Sequence, residues 1–294
     1  MDPAAQYLET LPPAEALARA RALAGRHYEN FAVSSRFVPA ELRDDFARLY
    51  AFCRATDDLG DEATGDRTVL LREWGAGLAR AVAAGDGASE SLAPWPLAGA
   101  AALLRKRALP VELFVDLIAA NLQDQVMVRY EDWDALSGYA KLSANCVGRL
   151  VLRLFKAESA ENDRLSDAIC TGLQYANFWQ DLGVDARKGR IYAPAAEWKS
   201  AGAAEADFFA PAASPALKSL LRERLLPRTR AMFAEGEALR ARVPAPLGRQ
   251  LALYLGGGRA ILNAIERAGC DPLRRRPKVG TGAKLRLFFT AMVS

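Results

Sequence analysis

Apolar residues in this chain recur at three- and four-residue spacing through nearly its whole length, the period that lays one apolar stripe along a helix. Alanine, leucine, arginine and glutamate dominate and β-branched residues are sparse, a helix-forming composition. No segment reads convincingly as a strand, so the predicted fold is all-α. Helices are expected over roughly 13–30, 40–61, 67–84, 95–107, 111–127, 133–156, 160–187, 215–242 and 245–269, with a short last one near 281–292. The longest loops expected are Gly85-Asp86-Gly87-Ala88-Ser89 and the stretch from Pro194 to Pro215, both rich in helix breakers or turn formers. Helical patterning resumes on either side of every break, and no long Pro/Gly/Ser linker divides the chain. One domain over 1–294 is therefore expected.

A net charge of +4, with lysines and arginines scattered rather than massed, argues against nucleic-acid binding. The cysteines Cys53, Cys146, Cys170 and Cys270 lie far apart, each in an apolar helical pattern, as buried thiols do in a reducing cytosol. Met1-Asp2-Pro3 opens without a basic region followed by an apolar one, so no secretory signal is expected. No apolar run approaches the roughly 20 residues of a membrane span. A cytoplasmic protein is predicted.

Two helical segments carry carboxylates where apolar residues would be expected. In the first, Tyr50, Arg54, Asp57 and Asp61 share one stripe and Asp58 lies beside it. Phe46, Leu49, Tyr50 and Cys53 mark the buried direction of that helix, and Asp57 falls within about 40° of it on the helical wheel. In the second, Gln174, Asn177, Asp181 and Asp185 form one polar stripe on a helix otherwise apolar on nearly all sides. Ionised carboxylates in such surroundings each cost several kcal/mol unless metal ions or cations neutralise them. Oxygen donors of this kind favour Mg²⁺, or Mn²⁺ in its place, over zinc. Mg²⁺ also keeps sites open for phosphate oxygens, so two aspartate stripes suit a diphosphate. Its charge, once neutralised, makes it a leaving group, and no protein nucleophile is required. The plainer alternative, that Asp57-Asp58-Asp61-Glu62 is only the solvated end of a helix, loses ground because a second cluster exists.

At these residues the sequence resembles the squalene/phytoene synthase family. Asp57-Asp58-Leu59-Gly60-Asp61 and Asp181-Leu182-Gly183-Val184-Asp185 are similar to its two aspartate-rich motifs, and Arg187-Lys188-Gly189-Arg190-Ile191-Tyr192-Ala193-Pro194 to the sequence that follows the second. His27-Tyr28-Glu29-Asn30-Phe31, Cys53-Arg54 and Ser143-Ala144-Asn145-Cys146-Val147-Gly148-Arg149 resemble, within the family, the bacterial hydroxysqualene synthases of hopanoid biosynthesis. The resemblance implies a single-domain terpenoid-synthase helical bundle around a central cavity, with the two aspartate helices facing each other. It implies that Mg²⁺ is held by Asp57, Asp61, Asn177, Asp181 and Asp185, and that presqualene diphosphate or another prenyl diphosphate is the substrate. The expected reaction adds water to give hydroxysqualene. The alternatives are presqualene diphosphate, squalene or phytoene synthesis, or a non-catalytic assembly-factor relative, against which the two intact clusters argue.

Supporting residues keep two readings each. His27, the single histidine, contacts diphosphate by resemblance or caps a helix. Arg54 binds phosphate or pairs with its own helix's aspartates. Arg190 and Tyr192 follow the second motif on an expected loop over the site, where an arginine fork suits phosphate. Tyr50 and Tyr139 line the substrate channel or simply fill the core. Gly256-Gly257-Gly258 and Gly280-Thr281-Gly282-Ala283-Lys284 match no nucleotide-binding spacing; close helix approach, or room for a prenyl chain, accounts for them better. The segment Arg274-Arg275-Arg276-Pro277-Lys278, followed by Lys284-Leu285-Arg286-Leu287-Phe288-Phe289, reads either as an interfacial segment for peripheral contact at the inner membrane face or as a solvated basic tail.

Overall fold

The computed structural model describes residues 4–26, 37–85 and 93–280. Twelve α-helices occur among them: α1 (Pro13–Arg26), α2 (Arg43–Asp61), α3 (Arg67–Ala83), α4 (Trp95–Arg107), α5 (Glu112–Gln123), α6 (Trp133–Ala140), α7 (Cys146–Leu154), α8 (Ala160–Arg187), α9 (Ala195–Ser200), α10 (Pro215–Leu220), α11 (Leu226–Gly236) and α12 (Ala245–Arg267). The described residues contain no β-sheet, only an isolated bridge between Arg129 and Ile191, so the fold is all-α. None of the described helices is long and apolar enough to cross a membrane. The chain gathers into two compact units, one within 1–126 and 150–156 and the other within 127–149 and 157–294.

In the first unit α2 is the central helix, packed on α1, α3, α4 and α5. Phe46, Leu49, Phe52, Ala55 and Leu59 are all fully buried along it. Phe52 stacks on Trp74 of α3 and meets Phe114 of α5 edge-on. The Trp74 indole N–H donates to Thr56 Oγ1 at 3.0 Å, and that hydroxyl donates to the Phe52 carbonyl at 2.8 Å. Polar atoms inside this core are therefore satisfied. Gly60 lets α5 come close, because a Cβ there would stand 2.4 Å from Asn121 Oδ1.

In the second unit α8 runs for 28 residues, about 42 Å at 1.5 Å per residue. Ser159 caps it by accepting a hydrogen bond from the Asn162 N–H at 3.1 Å. It packs on α6, α11 and α12, and the buried Trp179 donates its indole N–H to Thr229 Oγ1 of α11 at 2.9 Å. Phe233 of α11, fully buried, sits where Gly172 of α8 and Gly258 of α12 leave room for its ring. Close helix approach is thus the use of Gly258, as its sequence suggested.

Several predicted elements need correction. The helix expected over 133–156 is broken by a π-turn at Lys141–Asn145, and the one over 215–242 by another at Leu221–Leu225. The second precedes Pro227, which lacks an N–H for the helical ladder and whose ring crowds the carbonyl four residues back. The stretch from Pro194 to Pro215 is not a bare loop: it holds α9 and a 3₁₀ turn at Glu205–Phe209. Cys270 is buried as expected but lies beyond the end of α12 at φ 55°, not within a helix. The part of the first predicted helix beyond Arg26, and the helix expected near 281–292, lie outside the described residues.

Candidate active site

The C-terminal half of α2 carries the first carboxylate cluster. Asp58 is buried and fully occupied: it accepts from the Tyr7 hydroxyl at 2.7 Å and from Arg54 Nε at 3.0 Å, with Arg54 Nη2 also 2.5 Å away. Arg54 makes the helical ion pair with Asp58 that its spacing allowed. Tyr7 comes from a 3₁₀ turn, Ala5–Tyr7, 51 residues away, and nothing in the sequence near Asp58 announces it. Burial, then the hydrogen bond and charge of Asp58, raise the Tyr7 hydroxyl above its ordinary range. Tyr50 is buried one turn before Arg54, and burial pushes its hydroxyl up to about 12. Tyr7→Phe removes a hydrogen bond to a charged group and leaves Asp58 under-satisfied. It is expected to cost about 1.5–3 kcal/mol, read as a lower denaturation midpoint with the helical signal kept.

Asp57 and Asp61, one turn apart, occupy the other side of Asp58. Asn121 Nδ2 of α5 donates to Asp57 Oδ1 at 3.3 Å, and Gln125 Nε2 donates to the Gly60 carbonyl at 3.1 Å. Sequence reading missed this amide pair. Solvent reaches Asp57, yet protein crowds it closely enough that its carboxyl is pushed up to about 7. Desolvation is the largest cause; the charges of Asp61 and Asp58 add to it, and Asn121 and Arg54 oppose it.

On α8 the polar stripe appears as predicted, with Asn177 exposed and Gln174, Asp181 and Asp185 partly so, while Tyr175, Phe178 and Trp179 are buried. Behind the stripe the Tyr192 ring stacks on Phe178 at 3.9 Å and 6°, and Tyr139 lies 5.7 Å from Tyr192 and 6.0 Å from Phe178. The rings of Tyr139 and Tyr192 are thus mostly core. A small cavity has Asp185, Arg190 and Tyr192 together in its wall, against Phe178 and Phe208. The chain reaches that geometry by folding back after α8. Gly189 takes φ 78°, and the Arg190 N–H donates to the Asp185 carbonyl at 2.9 Å. The following residues are strapped down by Ile191 N–H to the Val128 carbonyl at 3.0 Å and Ala195 N–H to the Tyr130 carbonyl at 2.8 Å.

Asp181 is engaged by Arg276. The guanidinium Nε bonds Asp181 Oδ1, and Nη2 reaches Oδ2 at 3.0 Å and Gln180 Oε1 at 3.3 Å. The run Arg274–Lys278 had only interfacial and solvated readings in the sequence, and neither foresaw this contact. His27 and Lys284–Phe289 lie outside the described residues.

No three His, Cys, Asp or Glu side chains form a ready cage for a metal ion among the described residues. The donors come instead as oxygen pairs, Asp57 with Asp61 and Asp181 with Asp185, the latter beside Asn177. That set fits Mg²⁺, which is bound through one or two carboxylates and completes its shell with water and phosphate. Two observations agree with the fit: among the described residues Asp57 is held by the Asn121 amide rather than by an ion pair, and a guanidinium engages Asp181.

The family model of squalene/phytoene synthases matches residues 24–282, taking in both carboxylate segments. The chain belongs to the squalene/phytoene synthase family. Members of the squalene/phytoene synthase family are isoprenoid synthases that bind prenyl diphosphates. A hydroxysqualene synthase of Rhodopseudomonas palustris is 31% identical over 250 residues, covering 84% of this chain and 82% of its own. One of Zymomonas mobilis is 30% identical over 278 residues, covering 91% and 88%. Among solved structures, a squalene synthase of Alicyclobacillus acidocaldarius superposes with a TM-score of 0.80 at 41% identity, covering 89% of this chain and 97% of that one. This squalene/phytoene synthase architecture, built from helices alone, places both aspartate motifs on α2 and α8.

Proposed function

We propose that this synthase converts presqualene diphosphate and water to hydroxysqualene and diphosphate in a Mg²⁺-dependent reaction. The observation that carries the reading is the likeness, over more than four fifths of both chains, to relatives named hydroxysqualene synthase, in a chain that keeps both aspartate clusters. Asp57 and Asp61, and Asn177, Asp181 and Asp185, are assigned as oxygen donors to the metal. When bound, Mg²⁺ would draw charge from the diphosphate and ease its departure. Asp58 fixes Arg54, and His27, Arg54, Gln174 and Arg190 are assigned to the diphosphate side of the substrate. Tyr50, Tyr139 and Tyr192 stiffen and shape its apolar surroundings, where aromatic faces also favour a substrate cation. In the reaction the carbon–oxygen bond to diphosphate breaks with its electron pair leaving on diphosphate; a water oxygen then bonds carbon and releases a proton. A C30 alcohol partitions into lipid, so the enzyme is expected to work in the cytosol and deliver product at the inner membrane face.

The second reading is reductive squalene formation, favoured by the 41% identical structure named a squalene synthase. Oxygen labelling separates the two. Given presqualene diphosphate, Mg²⁺ and ¹⁸O-water without NADPH, the enzyme is expected to release a C30 alcohol carrying one labelled oxygen. Squalene formed only on addition of NADPH would establish the second reading. Consumption of two farnesyl diphosphates to give presqualene diphosphate or, with a longer prenyl donor, phytoene would move the chain to a condensation step.

A further inference from the structure

The residues after α12 do not drift away from α8 but are laid along it. Gly183 of α8 makes the approach feasible: a Cβ there would lie 3.1 Å from the Pro272 carbonyl oxygen and 3.1 Å from Leu273 Cα. Asp271, buried, holds the start of the segment by accepting from the Ala213 N–H at 2.8 Å and from the Arg274 N–H at 3.2 Å. Four residues past Leu273, the Pro277 carbonyl accepts from Gln180 Nε2 at 2.7 Å, and Pro277 is itself buried. Between these two anchors Arg276 reaches Asp181 with Nε and Nη2, and Gln180 Oε1 with the same Nη2. The amide of Gln180 thus holds the segment on one side and steadies the arginine fork on the other.

A carboxylate oxygen lone pair that accepts from a guanidinium is not at the same time a close ligand of a divalent cation, because the two positive groups would be forced together. We propose that Arg276 is a positioning residue that sets the cation affinity of the second aspartate cluster: it neutralises Asp181 when no metal is bound and must yield that carboxylate when a divalent cation arrives. The inference rests on the reading of Asp181 as a metal ligand. The pair is only partly screened, with the Arg276 side chain 46% exposed and that of Asp181 27%, so its strength is that of a well-oriented but solvent-touched ion pair. Exchange is therefore feasible without unfolding. Asp271, Gly183 and Gln180 tie the segment by its backbone on both sides of the arginine, so the guanidinium swings while its tether stays.

The test is Mn²⁺ binding in the presence of inorganic pyrophosphate and absence of prenyl substrate, followed by the electron paramagnetic resonance of free Mn²⁺. Wild type, Arg276→Gln, Arg276→Lys and Asp181→Asn are compared. Removing the competitor in Arg276→Gln is expected to tighten Mn²⁺ binding about five- to tenfold, the equivalent of about 1 kcal/mol of lost pairing. Arg276→Lys, which keeps the charge without the fork, should fall between Gln and wild type. The same Gln variant should melt below wild type without metal and recover more on adding it, a pattern that a purely structural role would not give. Equal or weaker Mn²⁺ binding by Arg276→Gln, with Asp181→Asn still impaired, overturns the latch and leaves the metal reading standing. If neither wild type nor any variant binds Mn²⁺, or Asp181→Asn binds as wild type does, both fall together.

Discussion

Asp57→Ala and Asp181→Ala are each expected to lower turnover by at least about 100-fold, with far-ultraviolet circular dichroism unchanged, because each removes a charged oxygen donor assigned to the metal. The two sites start from different conditions, which makes the pair informative. Among the described residues Asp57 makes no ion pair, and the neighbouring Arg54 is committed to Asp58. Loss of Asp57 removes a carboxyl held above its ordinary range, and the folded protein should be no less stable for it. Asp181 is already paired with Arg276, so its loss also unpairs a guanidinium, and a small fall in melting temperature should accompany the fall in rate. Asp58→Asn should show the reverse weighting. That buried carboxylate holds Tyr7 and Arg54, and stability should suffer first. Unimpaired activity of Asp57→Ala, or full wild-type activity with EDTA present, would remove the metal assignment.

The second large effect is structural. Gly258→Val should lower the melting temperature by about 6–12 °C, because a Cβ at that position would stand 2.4 Å from Phe233 Cζ and 2.9 Å from its Cε2. Phe233 has no exposed side to retreat to, and Gly172 confines the same ring from α8 with its own Cβ position 2.8 Å from Cε1. Overpacking of this kind costs about 3 kcal/mol, which at about 2–4 °C per kcal/mol gives the stated shift. Gly257→Ala one residue earlier is the control. Nothing lies within 4 Å of its Cβ position, and replacing a mid-helix glycine by alanine gains about 0.5–1 kcal/mol. Equal melting temperatures for Gly258→Val and wild type would refute the tight junction of α8, α11 and α12.

What the sequence made legible, and what it hid, follows from the range of each signal. The boundaries of α8 could be read almost to the residue because Ser159 caps one end and Gly189 turns the other, and the polar stripe on it needed only the helical period. The π-turns could not, since one extra residue per turn leaves the apolar spacing nearly intact on either side. Helix α9 was too short, at six residues, to show a period within the Pro194–Pro215 stretch. The partners of the aspartates were hidden by distance along the chain: Tyr7 is 51 residues from Asp58 and Arg276 is 95 from Asp181. Local pattern marks a carboxylate that needs compensation and can offer a partner one turn away, as Arg54 is for Asp58, but only the folded chain shows the remote ones. For Asp58 the remote one was a tyrosine, and for Asp181 a residue from the far end of the chain.

The first unit is not contiguous: it takes 150–156 as well as the first 126 residues. Phe155, from that late segment, meets Phe46 of α2 edge-on with ring centroids 5.8 Å apart. During synthesis, then, the helix that bears Asp57 leaves the ribosome well before the last side chain of its own core. Until that segment is made, a nascent chain keeps part of the α2 surface uncovered, and the unit closes only after translation has passed through α6 and α7. A gene cut after residue 126 would encode all of α1–α5 yet leave the core beside Phe46 open, so the helix that bears the carboxylates is completed by a stretch of message that contributes no ligand.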